Sequence, residues 1–72
     1  MKKFSVLIAN RHATSISLEE EFYQELLCIA SAKNMTVSSL ITEIDETRTT
    51  PNLSSAIRLY ILKTLKQSVI QD

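Results

Sequence analysis

The cross-links that stabilise many small domains cannot form here, because the 72 residues include one cysteine, Cys28, and one histidine, His12. A domain this small buries little apolar surface and usually depends on disulfides, a metal or a partner subunit. One cysteine excludes an intrachain disulfide, and one cysteine with one histidine is too few ligands for a tetrahedral zinc site. Hydrophobic residues make up 44% of the chain, more than we expect one small monomer to bury. We therefore expect one domain over residues 1–72, without metal or cofactor, that associates with a second copy.

No segment has the pattern of a secretion signal or a membrane span. The longest apolar run near the start, residues 6–9, is too short for a signal core, and no run approaches the ~20 residues that cross a bilayer. An unpaired cysteine fits a reducing compartment. The sequence predicts a cytoplasmic protein.

Charge is balanced overall, with eight basic and eight acidic residues, but it is unevenly distributed along the chain. The start is basic, a block of glutamates follows, and the last third is basic again. The residues are Lys2, Lys3 and Arg11, then Glu19, Glu20, Glu21 and Glu25, then Arg58, Lys63 and Lys66. The glutamates are fully explained by the start of a helix, because carboxylates are favoured at that end of the helix dipole. The basic N-terminal cluster is only partly explained as a set of solvated surface charges. Such a molecule can still present a cationic face to phosphates.

The segment before residue 18 alternates between apolar and polar residues, which is typical of a strand. Leu7 and Ala9 interrupt the alternation, and Asn10-Arg11 favours a bend. We therefore predict one strand, over about residues 12–17. Even positions, among them Phe4, Val6, Ile8, Thr14, Ile16 and Leu18, should face inward, and Arg11, Ala13, Ser15 and Ser17 should face outward.

Apolar residues spaced three and four apart predict three helices after the strand. The predicted ranges are about 18–33, 37–47 and 53–67. Asn34 is the expected end of the first helix, because asparagine tolerates the left-handed conformation. Thr36 is the expected N-cap of the second helix, and Asn52 begins the third after an extended segment at 47–51.

The single predicted strand decides the expected assembly. A lone strand leaves its backbone hydrogen-bonding groups without partners, and the same strand of a second copy would supply them. The predicted fold class is therefore mainly α with one short β-strand, paired antiparallel across an intertwined homodimer, plus an extra C-terminal helix.

Several short motifs lie along about residues 11–65, among them an aromatic pair in the first helix and a Thr-capped second helix that ends in Ile-Asp. The stretches are His12-Ala13-Thr14-Ser15-Ile16-Ser17-Leu18-Glu19, Phe22-Tyr23, Thr36-Val37-Ser38-Ser39-Leu40-Ile41, Ile44-Asp45 and Asn52-Leu53-Ser54-Ser55-Ala56-Ile57-Arg58. Together they resemble the ribbon-helix-helix superfamily of DNA-binding proteins, in particular a subgroup of small stand-alone bacterial domains.

The resemblance implies a homodimer that binds double-stranded DNA and regulates transcription, as a repressor would. Its paired strands would enter the major groove, and the start of the second helix would hold a phosphate. The base contacts expected from the outward positions are Arg11, Ala13, Ser15 and Ser17. The backbone contacts expected are Lys2, Lys3, Thr36, Val37 and Ser38.

The inward residues are expected to form the core of the dimer. His12 in particular should be a buried, hydrogen-bonded histidine at the interface. The full set is His12, Thr14, Ile16, Leu18, Phe22, Leu26, Leu40, Ile41 and Ile44. We further expect Cys28 to be buried or half-buried and Arg58 to form a salt bridge with Asp45 or Glu46.

Two other functional classes compete with DNA binding. An enzyme is not expected, because the sequence has no glycine-rich phosphate loop and no paired acid and base, and its one histidine and one cysteine lie in different elements. A protein-interaction module, such as an antitoxin or adaptor with weak or no DNA binding, is the serious alternative. Zero net charge and the modest chemistry of Ser15 and Ser17 favour that alternative.

Overall fold

A computed structural model describes residues 1–9 and 11–70 of the chain. Two strands precede three helices, and the element order is β1 (Lys2–Ile8), β2 (His12–Leu18), α1 (Glu20–Ala32), α2 (Val37–Thr47) and α3 (Leu53–Ile70). Among the described helices, none is both long and apolar enough to cross a membrane.

The two strands form an antiparallel hairpin within one chain, with Phe4 opposite Ile16 and Ile8 opposite His12. The prediction of a single strand is therefore wrong, while the predicted pairing of a strand with a second copy stays a prediction. Leu7 and Ala9 do not oppose strand formation, because Leu7 points to the exposed face of β1 and Ala9 lies in the turn with a left-handed φ of 54°. The bend expected at Asn10-Arg11 falls partly on Asn10, which lies outside the described residues. On the described side, Arg11 donates its N–H to the Ile8 carbonyl at 3.0 Å and closes the turn.

Alternation along both strands separates a helix-facing side of the hairpin from an exposed side. Val6, Ile16 and Leu18 are buried, as their even positions predict. Phe4 packs against Tyr23 of α1 with ring centroids 4.9 Å apart. The core between the hairpin and the helices consists of Val6, Ile16, Leu18, Leu26, Ile29, Ala30, Leu40, Ile41, Ile44, Ala56, Ile57 and Ile61.

Polar residues begin and end the helices as the sequence predicts. Asn34 has a φ of 56° and follows the last turn of α1. Thr36 is the N-cap of α2, and its hydroxyl accepts the N–H of Ser39 at 3.0 Å. Asn52 performs the same role for α3, because its side-chain oxygen accepts the N–H of Ser55 at 3.0 Å. These bonds satisfy donors that the first turn of a helix leaves free.

Ion pairs join elements that are distant in sequence. Arg58 of α3 donates from Nε to Glu19 Oε1 at 2.8 Å, at the junction of β2 and α1. The expected pairing of Arg58 with Asp45 or Glu46 is therefore wrong, and Asp45 instead accepts from Arg48 at 2.9 Å. Arg58 lies in the second turn of a helix that packs against α1, a contact that the sequence alone did not reveal.

Candidate nucleic-acid interface

The exposed side of the hairpin is a surface contributed by both strands, which we call the outer face. Three cross-strand pairs form it, because the register places odd residues opposite odd residues. The pairs are Lys3 with Ser17, Ser5 with Ser15, and Leu7 with Ala13. Ser17 is half-buried and the other five residues are exposed. The three predicted base-contact residues of β2 therefore lie on one surface, and Arg11 is exposed in the adjoining turn.

The two lysines at the start of β1 lie on opposite sides of the hairpin. Lys3 belongs to the outer face, opposite Ser17. Lys2 faces the helices, and its Nζ lies 5.3 Å from the centre of the Tyr23 ring. Of the two lysines predicted to contact the DNA backbone, only Lys3 is on the same surface as Ser15 and Ser17.

Helix α2 covers part of the outer edge of β1. Leu7 donates its N–H to Ser38 Oγ at 3.4 Å, and Ala9 donates its N–H to Thr42 Oγ1 at 3.0 Å. Thr42 also donates to the Ser38 carbonyl at 2.8 Å, which fixes its hydroxyl. The end of β1 is thus held against the first turns of α2.

No described residue covers the outer edge of β2 in this way. Because the N–H of Leu7 points away from β2, the backbone groups of odd residues point to the outer edges of the hairpin. On β2 these are the backbone N–H and C=O groups of Ala13, Ser15 and Ser17. None of them forms a hydrogen bond with another described residue.

The beginning of α2 lies beside the outer face. The Leu7–Ser38 hydrogen bond brings the first turn of α2 next to the end of β1. Of the three α2 residues predicted to contact phosphate, Thr36 uses its hydroxyl to cap Ser39, and Val37 and Ser38 contribute the first two N–H groups of the helix. Those N–H groups and the helix dipole favour an anion at this position.

Only two titratable groups among the described residues have a clearly displaced pKa, and ordinary contacts explain both. The hydrogen bond from Arg58 lowers the pKa of the Glu19 carboxyl. The hydrogen bond between Lys33 Nζ and the Tyr60 hydroxyl, 3.0 Å long, raises the pKa of Lys33, and Glu43 at 3.6 Å adds to the effect. Each contact joins an end of α1 to α3, and neither lies on the outer face. Within the described part of the chain, no group of three or more His, Cys, Asp or Glu residues could hold a metal ion.

Comparison with known protein families identifies the family of this chain from most of its length. A family model for the ribbon-helix-helix domain matches residues 1–65, which include both strands and nearly all of the helical part. The chain belongs to the ribbon-helix-helix family. Members of this family are generally DNA-binding transcription regulators or antitoxins, and they usually dimerise. No curated protein and no solved structure matches the chain.

The residues expected to form the core of a ribbon-helix-helix dimer are mostly buried inside one chain. Phe22 and Thr14 are half-buried and His12 is exposed. The burial predicted for His12 would need a second copy and stays a prediction, while Cys28, expected to be at least half-buried, is exposed. The remaining six, Ile16, Leu18, Leu26, Leu40, Ile41 and Ile44, belong to the single-chain core.

Sequence reasoning missed the contribution of β1 to the outer face of this ribbon-helix-helix domain. Ser5 and Leu7 were not among the predicted site residues, although they pair with Ser15 and Ala13. The signal was present in the odd-numbered positions 3, 5 and 7, which continue the outward parity of β2. Leu7 masks this signal, because an apolar residue interrupts the polar positions expected on an exposed face.

Proposed function

We propose that this protein binds double-stranded DNA as a homodimer and regulates transcription, with the outer face of its sheet in the major groove. The observation that carries the proposal is the coincidence of two features on β2. Its odd residues present small side chains, two of them hydroxyls, on the outer face, and the same residues present uncovered backbone groups at its edge. Membership of a family whose proteins usually dimerise and bind DNA supports the proposal.

The dimer would form by antiparallel pairing of β2 with β2 of the second copy. An uncovered strand edge is a template for another strand. The edge of β1 is less suited to this role, because Ser38 and Thr42 occupy the groups of Leu7 and Ala9. Pairing through the odd residues of both β2 strands keeps Ala13, Ser15 and Ser17 of both copies on one face.

This arrangement gives a four-stranded sheet with the order β1, β2, β2, β1. Strands lie ~4.8 Å apart, and the major groove is ~12 Å wide and admits a two-stranded ribbon. The two central β2 strands therefore fit inside the groove. The two β1 strands lie about 7 Å from the two-fold axis, at the rims of the groove and beside the phosphates.

The chemistry of the outer face suits this placement. The hydroxyls of Ser15 and Ser17 can donate to or accept from base edges, and Arg11 in the turn can contact guanine. Lys3 on β1 and the first N–H groups of α2 would meet the sugar-phosphate backbone. Since serine and alanine discriminate weakly among bases, sequence-dependent DNA shape would add to the specificity.

Selection of binding sites from random duplexes by the purified protein tests this proposal. We expect enrichment of a short palindrome, because a two-fold dimer contacts two equivalent half-sites. Ser15→Ala should then weaken binding to the selected site by roughly 5-fold to 100-fold, more than to random DNA. Thr49→Ala, an exposed change between α2 and α3, is the control and should bind as the wild type does. No enrichment at low salt by a folded protein would contradict the proposal.

A second function, association with another protein, is favoured by a separate observation on α3. Three leucines along this helix are exposed, although leucine is usually buried. They are Leu59, Leu62 and Leu65. If the protein serves as an antitoxin or adaptor without DNA binding, duplex affinity will be absent at low salt. Leu62→Ser will then weaken association with the partner while the helical content stays unchanged.

A further inference from the structure

Leu7 is the one large apolar side chain on the outer face within the described strands. It is 50% exposed in the middle of a surface otherwise composed of lysine, serine and alanine. Its backbone N–H donates to Ser38 Oγ at 3.4 Å, which holds this part of β1 against α2. Opposite it lies Ala13, which is also exposed, and the pair forms a small apolar patch between the turn and Ser15.

Close packing of the two side chains follows from the strand geometry. The N–H of Leu7 points away from β2, so Leu7 and Ala13 form a non-hydrogen-bonded pair of the antiparallel ladder. In such pairs the Cα atoms are ~4.5 Å apart and the side chains are closer than in the hydrogen-bonded pairs. Leu7 and Ala13 therefore present one continuous apolar surface rather than two separate methyl groups.

We propose that the Leu7–Ala13 pair reads thymine through its 5-methyl group, which makes β1 a second reading strand of the DNA-binding sheet. The inference rests on the proposed function, since it names what one part of the outer face recognises. The thymine methyl is the one apolar group that a base pair presents in the major groove. It projects near the backbone of its own strand, close to the rim of the groove where β1 lies in the four-stranded arrangement.

The site that the protein selects should accordingly contain thymines at two symmetric positions away from its centre. Two-fold symmetry gives each half-site one Leu7–Ala13 pair. Ser15 and Ser17, on the central β2 strands, contact other base pairs of the same site. Lys3, at the opposite end of β1 from Leu7, contacts phosphate and contributes no preference for a base.

Replacing these thymines by deoxyuridine in the selected duplex tests the inference with the wild-type protein. Deoxyuridine keeps the hydrogen-bonding groups of thymine and removes only the methyl. Burial of one methyl-sized group is worth ~0.8 kcal/mol, so affinity should fall about 4-fold for one half-site and about 15-fold for both. The effect should be confined to the two symmetric positions.

The variant Leu7→Ala supplies the second arm of the experiment. It should bind the thymine duplex more weakly than the wild type. It should also lose most of the difference in affinity between thymine and deoxyuridine duplexes, because only Ala13 then contacts the methyl. Thr49→Ala is the control, because Thr49 is exposed but lies between α2 and α3, away from the outer face. This control should retain the wild-type affinity and the full response to deoxyuridine.

The possible results separate this inference from the proposed function. A wild-type protein that selects a palindrome but tolerates deoxyuridine at every position overturns the inference and leaves DNA binding intact. The inference is also overturned if Leu7→Ala retains the wild-type response, or if the selected site contains no symmetric thymines. A protein that binds no duplex at low salt overturns both.

Discussion

Neighbouring residues on the strands have different tasks, because successive side chains point to opposite sides of the hairpin. Lys3 lies on the outer face, whereas Lys2 lies over the Tyr23 ring on the helix side. The two lysines are equal in charge and adjacent in sequence. Only Lys3 therefore lies where the proposed contact with phosphate can form, and the effect of each lysine on DNA binding can be measured.

The salt dependence of DNA binding should change on replacement of Lys3 and not on replacement of Lys2. Each phosphate neutralised contributes a slope of about −0.9 on logarithmic axes of affinity against salt. For a dimer with two Lys3 side chains, Lys3→Ala should therefore reduce the steepness by ~1.8 and weaken binding to all sequences alike. Titrations at several salt concentrations measure the slope, with Lys2→Ala as the control. Equal slopes for both variants would show that the outer face is not the surface that meets the phosphates.

The contact between Glu19 and Arg58 predicts a dependence of stability on pH. Because the Arg58 hydrogen bond lowers the pKa of Glu19 in the folded chain, the contact stabilises the fold above the ordinary glutamate pKa of about 4.3. This contribution is lost as the pH falls through the lowered pKa of the folded state. Arg58→Ala should return the Glu19 pKa towards its ordinary value, as measured by NMR titration of the carboxyl.

The control for this titration is Arg48→Ala, since Arg48 pairs with Asp45 and not with Glu19. It should leave the Glu19 pKa at its lowered value. The difference in stability between wild type and Arg58→Ala should also narrow on acidification. A Glu19 pKa that does not respond to Arg58→Ala would contradict the contact.

At the scale of elements, the short connection between α1 and α2 sets the position of the second helix against the hairpin. Asn34 ends α1 with a left-handed φ, and Thr36 caps α2 two residues later. From there, Ser38 and Thr42 reach the backbone of β1. The cap therefore affects both the stability of the helix and the place where the proposed phosphate contact lies.

Loss of the Thr36 cap should destabilise the fold by ~1 kcal/mol, because the N–H of Ser39 loses its acceptor. Urea unfolding of Thr36→Ala, followed by circular dichroism, measures this difference. Thr36→Ser retains the hydroxyl and should be close to the wild type. If Thr36→Ala and Thr36→Ser are equally stable, the hydroxyl does not cap the helix in solution.

The sequence predicted the elements that depend on local signals and missed those that depend on distant contacts. Thr36, Asn34 and Asn52 mark helix ends by their own chemistry, and the structure confirms all three. Strand β1 was missed because Leu7 conflicts with a strictly polar outer side, and only pairing with β2 shows that it is an exposed strand residue. The partner of Arg58 was also missed, since the contact of α3 with Glu19 at the start of α1 is a tertiary feature.

At the scale of the whole molecule, the reason to expect a dimer has changed. The sequence suggested one because a lone strand and an excess of apolar residues each needed a partner. In the structure the strand has a partner within the chain, and a single-chain core accommodates most of the apolar residues. The structure instead points to the uncovered edge of β2, and our central claim is that a second β2 strand pairs with it.

Two proline variants test the edge of β2 separately from the edge of β1. The N–H of Ser15 and the N–H of Ser5 both point away from the partner strand of the hairpin, and the two residues face each other across it. Proline removes the N–H and is tolerated on the outer side of an edge strand. Ser15→Pro therefore blocks pairing of β2 with a second copy, whereas Ser5→Pro places the same change on the edge of β1.

Sedimentation equilibrium of the wild type, Ser15→Pro and Ser5→Pro over a range of micromolar concentrations is the most direct test. We predict a wild-type and Ser5→Pro mass of twice the 8.1 kDa chain, and a Ser15→Pro mass of one chain with the strand and helix content retained. A wild type that stays at one chain mass at all these concentrations, or a Ser15→Pro variant that still forms the dimer, would contradict pairing through β2.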